Sequence, residues 1–441
     1  MFSDSLKKKC AALFQPDKLK NKLAAALQPD RIKQYGLDFL LYFVCCLPFL
    51  RILPIPSDVQ PYAFIVAVIY LIVHRRNLRI PDFHKVTFGL FLFVALLAIG
   101  GLIFDPTQSL MMLIRKTYNY AGLYVISLAL VNSLEKTKGV KENWIKGLIL
   151  LWLFVGLMQL LIDRQFLSFL VSNYRTTVER GVASLASEPS FYGCVMVFFF
   201  IIADEFKTGK WLYKGICLFQ IVVLAQSAVT FVYLAVFAMI YVIKEIVFFR
   251  RNTPRQKKTK LIIAAGSVVA IGVAAWIVLT FMQHTRFVQV FVNLFSNLGN
   301  IRSLQDLYAV DESVAVRLEA IVVAFQGFGR MWGLPNGFGQ ILISGQEHLR
   351  IMSGYGAVIY ELGVVGILLV AALAWWMIRG LKNGFVYGIG ITIIMFSAIQ
   401  LGSPVFILVF ACALYAQGRN NALTVNVDDW CKKLLRKKSE Q

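Results

Sequence analysis

Long apolar runs alternate along this chain with short polar segments, most of them basic. Twelve of the runs are candidates to cross a hydrocarbon core of about 30 Å: Gly36 to Leu53, Gln60 to Val73, Val86 to Phe104, Thr117 to Leu134, Trp144 to Ile162, Pro189 to Ala203, Leu212 to Ala225, Val229 to Phe249, Leu261 to Met282, Gly354 to Ile378, Phe385 to Leu401 and Pro404 to Ala416. The second, sixth, seventh and twelfth are short. The last two would form one run too long for a single span, and Gly402-Ser403-Pro404 is the natural turn between them. The pattern predicts an all-α polytopic membrane protein of about 12 transmembrane helices. It divides into a cytoplasmic amphipathic amino terminus (1–35), nine spans (36–282), a large extracytoplasmic loop with short amphipathic helices (283–353), three spans (354–417) and a basic cytoplasmic tail (418–441).

Composition agrees: 58% of residues are hydrophobic, 14% aromatic and only 16% charged, far from the balance of a soluble domain of this length. The first 35 residues have no apolar core, which predicts no cleavable signal peptide. They hold a small repeat, Gln15-Pro16-Asp17-Lys18-Leu19-Lys20 against Gln28-Pro29-Asp30-Arg31-Ile32-Lys33. Each copy begins a short amphipathic stretch expected to lie on the inner leaflet.

Charge sets the orientation. The amino terminus, 74–79, 135–146, 204–214, 250–260, 379–382 and the tail are net positive or carry several lysines, so both termini are expected in the cytoplasm. The formal charge of +21 then reflects topology and contact with anionic lipid. A nucleic-acid partner is excluded by the lack of a soluble domain with aromatic stacking platforms beside the arginines. The seven cysteines, Cys10, Cys45, Cys46, Cys194, Cys217, Cys412 and Cys431, fall in spans or cytoplasmic segments, which argues against disulfides and a cysteine metal site.

Two outward segments depart from the lysine-rich pattern. The loop between Met282 and Gly354 has five arginines, Arg286, Arg302, Arg317, Arg330 and Arg350, and no lysine. Arginine on the side where basic residues are scarce, with its planar fork, suits an anion; Arg286, Arg302 and Arg350 are read as trimming a solvated loop. Phe287, Val290, Phe291, Leu294, Phe295 and Leu298 recur at helical spacing, as do Leu318, Ile321, Val322 and Phe325, with Ser313 as a cap and Arg317 in the first turns. Gly327, Gly329, Gly333, Gly337, Gly339 and Pro335 predict an irregular segment around Arg330 where backbone amides can approach an anion. The second segment, 163–188, carries Arg164, Arg175 and Arg180. There Ser187 is expected to cap the sixth span, with Pro189 in its first turn and Glu188 at its mouth. As a mere complement to the helix dipole, Glu188 would be worth under about 1 kcal/mol.

Arg180-Gly181 followed by Glu188-Pro189-Ser190-Phe191-Tyr192-Gly193 resembles the signature of bacterial O-antigen and exopolysaccharide polymerases. Arg317, the Gly333 to Gly339 stretch, and Tyr360-Glu361-Leu362-Gly363-Val364-Val365-Gly366 are similar to the large-loop region of the polymerase and O-antigen ligase group. Ala225-Gln226-Ser227 stands where that group has a serine-rich turn. The likeness covers roughly Arg175 to Gly366. It implies a GT-C-like, metal-independent and cofactor-free glycosyltransferase of the bacterial cytoplasmic membrane. Its active site would be extracytoplasmic, and it would use oligosaccharide repeat units carried on polyprenyl diphosphate, with a flippase and a chain-length regulator as partners. For that reaction Glu188, Arg180, Arg317 and His348 are the expected catalytic residues, and Glu188 and His348 are the outward-facing candidates for a base toward the acceptor hydroxyl. Arg330, Arg175, Arg115 and Tyr192 are assigned to substrate binding, Arg115 as a secondary phosphate contact.

Two alternatives share the lipid-linked sugar. A ligase would hand the glycan to lipid A-core and would carry a histidine late in the loop; His348 stands there, thirteen residues before Glu361. A transporter or flippase would place ionisable residues inside its spans and show two related halves, whereas here mid-span charges are few and the halves do not match. The orientation is testable with single cysteines in a background without competing accessible thiols. In intact cells an impermeant thiol reagent is expected to label positions 173 and 305 and to spare position 253. Labelling at 253 but not at 305 inverts the topology and removes the site assignment with it.

Overall fold

The computed structural model describes residues 29–52, 57–104, 110–176, 180–248, 303–310, 312–338, 341–343, 346–349, 353–397, 399–418 and 423–425, with pairs at 288–289, 292–293 and 296–297. The first copy of the amino-terminal repeat, the run Leu261 to Met282, most of the stretch Phe287 to Leu298, the side chain of Ser313, and Arg286, Arg302, Gly339 and Arg350 lie outside this description.

The described chain is mostly helical. In order it forms α1 (Pro29–Cys46), α2 (Tyr62–Val73), α3 (Asp82–Phe104), α4 (Leu110–Lys136), α5 (Glu142–Leu161), α6 (Pro189–Ile202), α7 (Lys210–Phe219), a π-helical segment (Gln220–Ala225), α8 (Ala228–Phe248), α9 (Leu304–Val310), α10 (Glu312–Arg330), α11 (Gly354–Leu362), α12 (Val364–Gly380), α13 (Gly384–Ile394) and α14 (Pro404–Gly418). Two antiparallel strand pairs accompany them: β1 (Leu78–Ile80) with β4 (Leu423–Val425), and β2 (Ile341–Ile343) with β3 (Gln346–Leu349). Proline opens α6 and α14, where a missing backbone donor costs nothing and a fixed φ favours the first turn.

α14 is apolar on every side, and every residue from Pro404 to Leu414 is buried. A helix without a polar face can be stable in a core only when surrounded, and α14 packs against α1, α4, α6 and α12. By contrast, α3, α5 and α8 contain segments long and apolar enough to cross a membrane: Asp82–Ile103, Glu142–Leu161 and Ala228–Glu245. Much of their apolar surface is exposed, including Val86, Leu96 and Ile103 on α3. That arrangement is compatible with a membrane protein whose rim faces hydrocarbon.

Several local expectations change. The second amino-terminal repeat is not a separate surface helix, because α1 runs unbroken from Pro29 through the first apolar run. α4 begins at Leu110, seven residues before the expected span, so Arg115 and Lys116 sit within its first turns. The eleventh run is helical only to Ile394. α10 absorbs Gly327, Gly329 and Arg330, and the irregular segment starts at Met331. Gly327 serves packing there: a Cβ on it would fall 2.3 Å from the Tyr360 ring. The β2–β3 pair lies in a segment expected to be loop.

At one corner of the bundle, buried Asp204 ties the end of α6 to α7 and α13. Its Oδ1 meets Lys210 at 2.5 Å and Lys214 at 2.7 Å, and Oδ2 accepts from Tyr387. Burial disfavours the charged form, but the hydrogen bonds from Lys210, Lys214 and Tyr387 outweigh it and hold the carboxyl below its ordinary value. A depressed folded-state value contributes stability that is complete above the unfolded pKa of about 3.9 and is lost as pH falls through the folded value. Asp204→Asn is expected to cost roughly 3–5 kcal/mol at pH 7 by stranding Lys214, and to flatten the acid limb. Melting in detergent from pH 7 to about pH 3 checks both; superimposable profiles for wild type and variant rule out the assignment.

Candidate functional site

The tenth apolar run folds as two helices because it is interrupted at Gly363, whose φ of 60° and ψ of −134° end α11 and start α12. Only glycine fits: a Cβ there would meet the Gly333 carbonyl oxygen at 2.2 Å. The break frees carbonyls at the end of α11, and the segment after α10 uses them. Asn336 N and Gly337 N donate to the Tyr360 and Glu361 carbonyls at 3.2 Å each, Asn336 Nδ2 adds a bond to Tyr360 O at 3.0 Å, and Val364 N returns one to Gly333 O at 2.8 Å. At the other end Ser353 caps α11, accepting from Gly356 N at 3.0 Å and donating to Phe396 O at 2.5 Å. This nine-residue helix is thus pinned at both ends.

The arginine loop 163–188 is fixed by its own contacts. Gly181 lies against the π-helical segment, where a Cβ would fall 2.2 Å from Ala225 O, and Val182 N donates to Leu224 O at 2.8 Å. Gln159 clamps Ser184 through Oε1 at 2.6 Å and Nε2 at 2.9 Å. Arg175 N donates to Ser187 O at 2.7 Å. The N-cap of α6 is Glu188 rather than Ser187, whose buried hydroxyl has no hydrogen-bond partner among the described residues. Ser190 Oγ donates to Glu188 Oε1.

These elements converge on a cavity of about 330 Å³. Its charged wall comprises Asp58, Lys116, Arg175, Glu188, Arg317 and Glu361, with Asn119, Tyr120, Ser353 and Gln400 as polar neighbours. Three cations and three carboxylates therefore share one space. Arg175 Nη2 meets Asp58 Oδ2 at 2.9 Å. Lys116 Nζ pairs with Glu361 Oε1, and Tyr120 donates to Glu361 Oε2 at 2.7 Å. The other two charges are Glu188 and Arg317, both near enough to Cys194 of α6 to act on it electrostatically. A small lobe of about 50 Å³ adjoins the cavity, sharing Asp58, Phe191, Ile399 and Gln400 and bounded further in by Phe49 and Phe198.

Of the residues singled out from sequence, Glu188 and Arg175 of the loop 163–188 come together on this wall with Arg317, which is distant in the chain. Arg180 stands beside the Gly181 contact and its carbonyl accepts from Arg164 Nη1 at 3.0 Å; Arg115 is exposed one residue before Lys116; neither lines the cavity. Arg330 is exposed at the last turn of α10, near Tyr360. Tyr192 is placed away from the site, fully buried, stacked on Trp152 at 5.5 Å and donating to Gln220 at 2.8 Å. His348 lies in β3, and its side chain is outside the description.

Sequence reading missed Lys116, Tyr120, Glu361 and Asp58 as site residues. Glu361 carried a signal: it is a lone carboxylate within a long apolar run, where an ionisable group needs a partner. Chemically the wall offers donors for an anion beside a carboxylate able to accept a proton from a bound hydroxyl. No protein family, curated protein or solved structure matches the chain.

The close approach at Gly363 is separable from its backbone angle. Gly337 also has positive φ, +73°, but nothing stands within 4 Å of its Cβ position. Gly337→Ala is expected to cost about 1 kcal/mol. Gly363→Ala, which adds a clash with backbone, is expected to cost roughly 2–4 kcal/mol. Denaturation in detergent measures both, and equal losses would remove the contact with Gly333 as the reason for the helix break.

Proposed function

We propose that the chain is a surface-polysaccharide polymerase of the O-antigen type. In this reading it crosses a bacterial cytoplasmic membrane about twelve times, in a GT-C-like arrangement with both termini inside and the cavity opening outside. It transfers a growing glycan from polyprenyl diphosphate to a hydroxyl of another lipid-linked repeat unit. The observation that carries the proposal is the meeting of Glu188, Arg317 and Arg175 in one cavity, since a carboxylate and two guanidinium groups suit different parts of one reaction.

The acceptor oxygen attacks the anomeric carbon of the donor while the bond from that carbon to the diphosphate oxygen breaks. The electron pair leaves with polyprenyl diphosphate, and the hydroxyl proton passes to Glu188. Ser190 holds Glu188 Oε1, and no described residue donates to Oε2, which suits it to the acceptor. Arg317 and Arg175 bear on the leaving diphosphate, where negative charge grows in the transition state and fixed donors act most strongly. Planar guanidinium groups match two phosphate oxygens at once. No metal is required by this assignment of roles.

The test is reconstitution. Purified protein given only lipid-linked repeat units is expected to build a ladder of longer lipid-linked chains without nucleotide sugar, divalent metal or lipid A-core. Glu188→Gln should slow the ladder by about a hundredfold or more, and Arg317→Lys by at least about tenfold. Arg302→Lys should have little effect. Product that forms solely with lipid A-core overturns polymerisation in favour of ligation, and an intact ladder from Glu188→Gln leaves that carboxylate a helix-end charge.

A further inference from the structure

The cavity holds more charge than the proposed reaction uses. Lys116 and Glu361 form an ion pair on its inner wall, with side chains only 17% and 5% exposed, and Tyr120 engages the second carboxylate oxygen of Glu361. The other pair on the wall, Arg175 with Asp58, is 56% and 28% exposed. That outer pair stands in solvent and is weak. The inner pair is held in a wall of low dielectric, where a lone lysine would suffer a large desolvation cost.

Resting on the diphosphate-donor reading above, we propose that Lys116 is a further diphosphate-binding residue and that Glu361 is its resident anion. Glu361 occupies the ammonium while the site is empty and is displaced from it by the incoming diphosphate. At rest the wall is charge-balanced, three cations against three carboxylates; on binding, Lys116 exchanges one anion for another, and the released Glu361 keeps its hydrogen bond from Tyr120. Glu361 cannot follow Lys116 into the cavity, because Tyr120 and the pinned end of α11 hold it in place. Once the glycan has moved, the same carboxylate competes for Lys116 and favours departure of the lipid diphosphate.

A displaced competitor gives opposite signs that a purely structural ion pair would not. Farnesyl diphosphate titrated by calorimetry into the purified full-length protein in detergent is the probe. Lys116→Met is expected to weaken binding about tenfold or more, the scale of a lost charge-assisted hydrogen bond. Glu361→Gln, which keeps the shape and an acceptor for Tyr120, is expected to tighten it severalfold by removing the competing charge. The double variant Lys116→Met/Glu361→Gln should bind as weakly as Lys116→Met, because the gain requires the ammonium. It also leaves no stranded carboxylate, so its comparison with Glu361→Gln decides the matter should Lys116→Met alone fail to fold. Wild-type binding with an unaltered Lys116→Met, a Glu361→Gln that is no tighter, or a gain that survives in the double variant overturns this inference alone. Absence of any binding by wild type overturns the diphosphate-donor reading and this inference with it.

Discussion

A backbone oxygen placed where a side chain would begin is the constraint on which the site depends. Gly333 O lies 2.2 Å from the Cβ position of Gly363, so no residue with a side chain fits at the break between α11 and α12. The break does three things together. It exposes carbonyls to which the segment after α10 binds, it ends α11 so that Glu361 lies on the cavity wall, and it holds α10, and with it Arg317, against α11. The glycine-containing segment after α10 becomes part of the bundle because a helix has been interrupted to receive it.

Asp204 and Glu361 show two uses of a buried carboxylate. Asp204 is surrounded by Lys210, Lys214 and Tyr387, away from any described cavity, and its donors leave nothing for a ligand to take. Glu361 has one lysine and one tyrosine, and its lysine faces a space large enough for a ligand. The same interaction is a weld in one case and a contact that can open in the other. The difference lies in whether the pair borders empty volume.

Many of the described helices were legible because apolar runs, prolines and glycines report local physics directly; the start of α4, the break at Gly363 and the end of α13 were not. Pro189 and Pro404 begin helices, and the chain turns at Gly402 before α14, although the preceding helix has already ended at Ile394. The choice of Glu188, Arg175 and Arg317 was legible from arginine without lysine and from a carboxylate at a helix mouth. What could not be read was which charges meet across the chain. Lys116 and Glu361 are 245 positions apart, and nothing local to either names the other. Tyr192 misled because it is a polar residue inside a motif. Its ring and hydroxyl both find partners in the core, and only packing decides which way an aromatic with a polar tip will face.

The π-helical segment Gln220–Ala225 fits one residue more into its turn than an α-helix would. Gln226 N reaches back to Ile221 O, and the Leu224 carbonyl is left to receive Val182 N. Chain length in this helix is therefore coupled to the arginine loop on the other side of the contact. Removing one residue from 220–225 would restore regular α geometry, withdraw the carbonyl that anchors Val182 and release the turn at Gly181. Residue identities at 221–225 can drift as long as they remain apolar, while Gln220 is kept as the acceptor for Tyr192. The residue count of the segment cannot drift, so homologues should differ in length within the surface loops and agree at this point.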